Sequence, residues 1–209
     1  MNQLNYNELL AILSHNLDNT DKKRYFISLS GPPASGKSTI SEKIINDLNS
    51  KGYQSSILQM DGFHLDDQIL KNQNLISKKG APETFDVMGL VSFLSRLQKE
   101  PEVIVPIFDR SLELSRSSAT IITNETRVMV VEGNYLLLKS KPWNILHKFF
   151  DVSVMINCEE KILEKRLLDR WKNFNLSKDE IHQKVYQNDL PNGLNVLKNS
   201  LDSDYILTN

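Results

Sequence analysis

The chain has 209 residues, 40% apolar and 24% charged, with 25 Lys and Arg against 26 Asp and Glu for a formal net charge of −1. That composition suits one large globular domain, excludes disorder, low complexity and collagen-like structure, and disfavours a broad nucleic-acid or anionic-membrane surface. A lone cysteine (Cys158) forbids an internal disulfide, and the four histidines show no metal-ligand spacing; with no apolar leader and no run near the roughly 20 apolar residues of a membrane span, a cytoplasmic protein is expected.

In chain order, Leu9, Leu10, Leu13 and Leu17 recur at helical spacing, which predicts a helix over 4–17 within an N-terminal segment 1–20. Residues 25–30 read as a short buried strand ended by Gly31. Ile40, Ile44, Ile45 and Leu48 then mark a helix that stops at Gly52. Between them stands Gly31-Pro32-Pro33-Ala34-Ser35-Gly36-Lys37-Ser38, followed by Thr39, a match to G-x-x-x-x-G-K-[ST] at every fixed position. A glycine-rich loop between strand and helix turns backbone N–H groups and a helix N-terminus toward phosphate oxygens. Lys37 is expected to reach the outer phosphates of ATP, and the Ser38 hydroxyl to take a position on Mg2+.

Residues 56–60 form the next strand candidate and deliver Asp61-Gly62-Phe63-His64 to the carboxyl edge, the same rim as the phosphate loop. Asp61 there suits the base that accepts a hydroxyl proton, or a ligand to magnesium. His64 reads two ways, as a contact to the acceptor or as a hydrogen-bonded rim histidine. Further strands are predicted at 103–107, 128–131, 152–156 and 205–207, and helices at 87–97, 143–150, 159–171 and 178–186. This alternation implies a three-layer α/β fold, a mostly parallel sheet with helices on both faces.

Glu132, followed by Gly133 and Asn134, ends the most apolar strand and is the best placed second acidic group for magnesium. Asn157-Cys158-Glu159-Glu160 resembles a helix N-cap with its glutamate at the third position. Counting at about 100° per residue from Ile162 places Arg166 and Arg170 within the apolar sector of the following helix. Contact with phosphate and ion pairing with Asp or Glu are the two readings of these arginines, and Cys158 reads as a buried filler. The polar stretch 172–192, with a helix start at Ser177-Lys178-Asp179-Glu180, suits a lid. No N-K-x-D supports guanine specificity.

The segments Gly31 to Ser38, Asp61 to His64, Lys79-Gly-Ala-Pro-Glu-Thr-Phe-Asp86, Phe108-Asp-Arg110, Glu132 to Asn134, Arg166-Leu-Leu-Asp-Arg-Trp171 and Asn188-Asp-Leu-Pro-Asn192 resemble the phosphoribulokinase, uridine kinase and bacterial pantothenate kinase family of P-loop kinases, in its short nucleoside kinase-like or fructose kinase-like branch. The resemblance implies a single P-loop NTP hydrolase-type domain over 1–209. It implies that Asp61 is the base, that Lys37, Ser38 and Glu132 serve MgATP, and that the helix bearing Arg166 and Arg170 leads into a lid over 166–192. Phe85, Asp86, Asp109, Arg110 and Asn134 would face a small-molecule acceptor. Transfer of the γ-phosphoryl group of ATP to a metabolite hydroxyl is the expected activity, with a homodimer as a further possibility. A regulatory nucleotide-binding protein without an acceptor is the competing class.

Overall fold

The computed structural model describes residues 2–174 and 176–208; Met1, Asn175 and Asn209, which fall in the predicted N-terminal segment, the lid stretch and the chain end, lie outside the described residues. The chain begins with β1 (Asn2–Leu4) and α1 (Tyr6–Asp18), whose start is fixed by a reciprocal cap between Asn5 and Glu8. Then come β2 (Tyr25–Ser30), α2 (Lys37–Ser50), β3 (Ser55–Gln59), the short α3 (Asp67–Asn72) and α4 (Val87–Lys99). The second half holds β4 (Val103–Asp109), β5 (Leu114–Ile122), β6 (Val128–Gly133), β7 (Val152–Asn157), α5 (Glu160–Lys172), α6 (Lys178–Lys184), α7 (Leu190–Asn199) and β8 (Tyr205–Thr208).

Six strands form a parallel sheet in the order β1-β8-β7-β2-β6-β3. β2 and β6 are buried at every residue because helices cover both faces, which is why they read as continuous apolar runs rather than as alternation. Ile27 and Leu29 of β2 meet Leu9, Leu13 and Leu17 of α1 and Ile44 and Leu48 of α2 on one face. Phe26 points the other way, into a core with Leu90, Leu94 and Leu97 of α4, Trp143 and Val196 of α7. Each such side chain contributes roughly 1.5–3 kcal/mol by leaving water. Arg24, passed over in the sequence, is buried and donates to the carbonyls of Leu97, Glu100, Pro101, Thr123 and Thr126, tying the end of α4 to the turn before β6.

Four expectations are corrected. The strand predicted at 103–107 is β4, and it pairs antiparallel with β5 in a separate two-stranded sheet. β5 itself is largely polar and exposed, so no apolar pattern announces it. The segment Trp143–Phe149 is 3₁₀ rather than α-helical. α5 begins after Glu159 without a side-chain cap, so the Asn157-based cap is not formed. Finally, α6 does not end at 186: it widens into a π-helical turn, Val185–Asp189, and continues as α7. Pro191 has no N–H to offer the carbonyl four residues back, and the change of winding just before it lets the helix run on through the proline.

Candidate active site

The phosphate loop leaves the end of β2 between its two parallel neighbours. Gly31 is required by a close approach, since a Cβ there would lie 2.9 Å from the Ile156 carbonyl of β7. Gly36 caps α2 with φ +91°, a left-handed geometry that glycine adopts without strain. Lys37 is folded back over the loop, its Nζ donating to the Pro32 carbonyl at 2.8 Å. Burial pushes its ammonium down to about 8, with Glu132 and Asp61 partly opposing the shift. Ser38 Oγ lies 3.1 Å from both carboxylate oxygens of Glu132, whose own pKa is raised by burial and held back by Lys37. A hydroxyl beside a carboxylate at the end of a parallel strand is a hard-oxygen donor set that fits magnesium completed by phosphates and water, and Ser38 and Glu132 are the residues that would hold it. Gly133 is required as well: a Cβ would meet Met60 Cβ at 2.4 Å, so its absence lets β6 end against the turn that carries Asp61.

That turn, Met60–Phe63, follows β3 directly. Asp61 Oδ2 accepts from Arg110 Nη2 at 2.8 Å, and its carbonyl accepts from His64 Nδ1, also at 2.8 Å. Because a carbonyl only accepts, His64 carries its proton on Nδ1 when neutral, leaving Nε2 as an acceptor. Burial lowers its pKa, which keeps the ring neutral at pH 7. The ring packs at a tilt against Phe85, with centroids 4.0 Å apart, and against Phe108 at 4.8 Å.

Two adjoining cavities open at this rim. The smaller, about 300 Å³, is walled by Pro33, Ala34, Gly36, Lys37, Ser38, Thr39 and Glu132. The larger, about 490 Å³, is walled by His64, Phe85, Phe108, the 76–80 loop, Glu113 at the β4–β5 tip and the α6–α7 segment. Pro33, Asp61, Arg110, Asn134 and Arg170 line both. The junction between the cavities is therefore occupied by a carboxylate, two guanidiniums and an amide.

The sequence-predicted residues divide accordingly. Asp61, Lys37, Ser38, Thr39, Glu132, Arg110, Asn134, Arg170, His64 and Phe85 all face the two cavities. Asp86 does not: its side chain caps α4 by accepting from the Gly89 N–H. Asp109 is likewise spent on the hairpin, accepting from Ser111 and Leu112 and pairing with Arg116 at 3.3 Å, and the Ser111 hydroxyl leads the groups that hold its carboxyl below the usual range. Arg166 sits behind the phosphate loop with Nη1 3.4 Å from the Ser35 carbonyl, so it braces the loop rather than facing phosphate. Ile162 is exposed, and the buried stripe of α5 is Leu163 and Leu167; about −20° from Leu163 still brings Arg170 inward. Among the described residues neither arginine forms an ion pair. Cys158 is buried and burial raises its pKa, as suits a filler.

Contacts that sequence reasoning did not foresee build the far wall, where Trp171, Asn188 and Asp189 line the larger cavity and the buried Tyr135 stands behind it. Asn188, on the π-helical turn, donates to the Lys79 carbonyl at 2.9 Å, and Tyr135 donates to the Gly80 carbonyl at 2.6 Å. Trp171 donates to Asp189 at 2.7 Å, and burial raises the Asp189 pKa. Their signal was present in the Asn188 to Asn192 segment, but nothing in its spacing says which loop it meets.

A phosphate loop at the end of a central parallel strand, an acidic residue on the neighbouring strand and a second cavity sharing its rim define the protein as a P-loop kinase. The chain belongs to the phosphoribulokinase / uridine kinase family, whose model matches residues 26–174. Among solved structures, that of a putative fructose transport system kinase from Silicibacter sp. TM1040 is similar with a TM-score of 0.87 and 35% identity, over 95% of this chain and 98% of its own. The uncharacterized protein YggC of Escherichia coli K12 is 32% identical over 188 residues, 89% of this chain and 78% of its own. A pantothenate kinase of Ligilactobacillus salivarius is 28% identical over 154 residues, 72% of this chain but 50% of its own, so the chain spans half the length of that relative. No helix among the described residues is long and apolar enough to cross a membrane.

Proposed function

We propose that this protein transfers the γ-phosphoryl group of ATP to a hydroxyl of a small metabolite bound in the larger cavity. The observation that carries the reading is the shared rim: Asp61, Arg110 and Arg170 stand where a nucleotide in the smaller cavity meets a molecule in the larger one. The acceptor hydroxyl gives its proton to Asp61 as its oxygen bonds to the γ-phosphorus. The bond from that phosphorus to the β,γ-bridging oxygen breaks, and its electron pair leaves with ADP. Arg110 holds the Asp61 carboxylate toward the junction, Lys37 and Arg170 receive charge on the transferred group, and Arg166 fixes the loop that carries the phosphates. Magnesium bound with the nucleotide supplies charge neutralisation on the phosphate oxygens. Lys37 exchanges its bond to the Pro32 carbonyl for one to phosphate. The described part of 172–192 acts as a lid, anchored by Val185 and by the Trp171–Asp189 bond and meeting the 76–80 loop through Asn188.

The test is an ADP-release screen with MgATP across pantothenate, nucleosides, hexoses, glycerate and ribulose 5-phosphate. A kinase shows acceleration by at least one acceptor, with the phosphorylated product recovered in equal amount to ADP. Slow turnover that no alcohol accelerates identifies a nucleotide switch instead.

A further inference from the structure

We propose that Tyr135 is a positioning residue for the reaction: its hydroxyl fixes the Gly80 backbone as a post, and two outer walls of the larger cavity, the β4–β5 hairpin tip and the α6–α7 segment, are both fastened beside that post. The inference rests on the kinase reading of the two cavities and adds what holds the second one in shape.

Tyr135 is fully buried and lines neither cavity, so it acts on a bound molecule only through other residues. Its ring meets Phe85 at 5.7 Å and Trp143 at 5.2 Å, both edge to face, and this packing sets the direction of the phenol. Burial raises its pKa, so the hydroxyl keeps its proton and donates to the Gly80 carbonyl at 2.6 Å. On the other side the Gly80 N–H donates to the hydroxyl of the buried Thr84 at 3.0 Å. Gly80 turns with φ +99°, a conformation that glycine adopts without strain, and its donor and its acceptor are both held. Tyr135 also follows Asn134, whose carbonyl accepts from the Ser30 hydroxyl at 3.0 Å. The post is thereby tied to the end of β2, the strand from which the phosphate loop leaves.

Both walls reach the post through Lys79. Its ammonium donates to the Glu113 carbonyl on the hairpin tip and to Asp67 of α3, each at 2.7 Å, while its own carbonyl accepts from Asn188 at 2.9 Å. Arg110, the partner of Asp61, stands on the same hairpin tip. Asp189, next to Asn188, is bonded to Trp171, the neighbour of Arg170. A shift of the post therefore displaces both guanidiniums of the junction relative to the nucleotide side, and displacements of about 1 Å at reacting groups are costly.

The experiment compares the full chain with Tyr135→Phe, which keeps the ring and removes the hydroxyl, and with Lys79→Met. Amide exchange of the unligated proteins is measured first. Tyr135→Phe should speed exchange in both 110–116 and 185–192 and leave β2 and β6 unchanged, whereas Lys79→Met, which keeps the carbonyl that Asn188 meets, should speed 110–116 alone. Initial rates of ADP release are then measured with MgATP and fructose, uridine, D-glycerate, pantothenate or ribulose 5-phosphate. For whichever of these is phosphorylated, Tyr135→Phe should raise KM roughly 3- to 10-fold, the scale of one neutral hydrogen bond, with MgATP affinity by titration calorimetry unchanged. Thr84→Val, which keeps shape and removes the other bond to Gly80, should give the same exchange pattern and decides the matter if Tyr135→Phe does not fold. Unchanged exchange in both walls, faster exchange spread into β2 and β6, or an unchanged acceptor KM overturns the inference while the kinase reading stands. Absence of any phosphorylated acceptor overturns the kinase reading and the kinetic role of Tyr135 with it, and the exchange pattern, which needs no acceptor, still decides whether Tyr135 fixes both walls.

Discussion

The two cavities are built differently. Half of the residues lining the proposed nucleotide side come from one stretch, 33–39, joined by Glu132 and Gly133 from the strand next door, and the loop's geometry follows from backbone conformation at the end of β2. The proposed acceptor side is assembled from the Asp61 turn, the 76–80 loop, a two-stranded hairpin and a helix interrupted by a π-turn, none adjacent in sequence. Phosphates are recognised by backbone N–H groups that any sequence with the right turn presents, whereas an individual metabolite is recognised by side chains that converge only after folding. The nucleotide half of the site is therefore the general part, and the acceptor half the particular one.

Substitutions that remove one half's contribution while sparing the other should separate them. Asp61→Asn, at the junction, is expected to have the largest effect. It keeps size and the capacity to meet Arg110 but removes the base, so acceptor phosphorylation should fall by roughly 10² to 10⁴ while MgATP binding survives. Loss of binding with a normal rate per bound complex would mark Asp61 as a metal ligand only. Lys37→Ala removes a charge that meets phosphates before and during transfer, so nucleotide affinity and turnover should both fall, turnover by about 10² to 10³. Unchanged ATP turnover would break the assignment of the loop.

Arg170→Ala stands between the halves and should lower kcat more than ATP affinity, by about tenfold or somewhat more, because a junction guanidinium acts most strongly as charge redistributes. With MgATP and acceptor, amide exchange should slow across the α6–α7 segment. Protection that is identical with and without ligand, together with full activity of the variant, would make that segment scaffold rather than lid.

The smallest expected effect is one of pH. Burial sets the Lys37 ammonium at about 8 against an ordinary 10.5 in the unligated protein. Phosphate binds the protonated form, so MgATP affinity should weaken as pH rises through that value, by at most about tenfold per pH unit. For folding the sign is opposite: between about 8 and 10.5 the unfolded chain holds this proton more tightly, so the unligated protein gains stability as pH rises across the window. Titration calorimetry between pH 7 and 9.5 checks the binding half, and a flat profile would show that Lys37 carries no such titration.

The amino-acid sequence by itself announced the buried strands and the phosphate loop, because each leaves its pattern within a short stretch of chain. β2 and β6 announce burial by uninterrupted apolar residues, and Gly36 and Lys37 stand at the junction of strand and helix with no need of distant partners. Ser177 and Glu180 likewise close their cap within one turn, as their spacing predicts. The folded structure decided the rest. Asp86 and Asp109 looked like acceptor ligands until local N–H groups proved to occupy their carboxylates, and Arg166 looked phosphate-facing until the loop backbone took its guanidinium. β5 carries no apolar pattern because polar contacts hold it, its hairpin ladder with β4 and the Ser115 hydroxyl on the Asp61 and His64 carbonyls, and α7 hides behind a proline that the π-turn accommodates. Asn188 gains meaning only beside Lys79, 109 positions away, and sequence spacing carries no record of which loops tertiary packing will bring together.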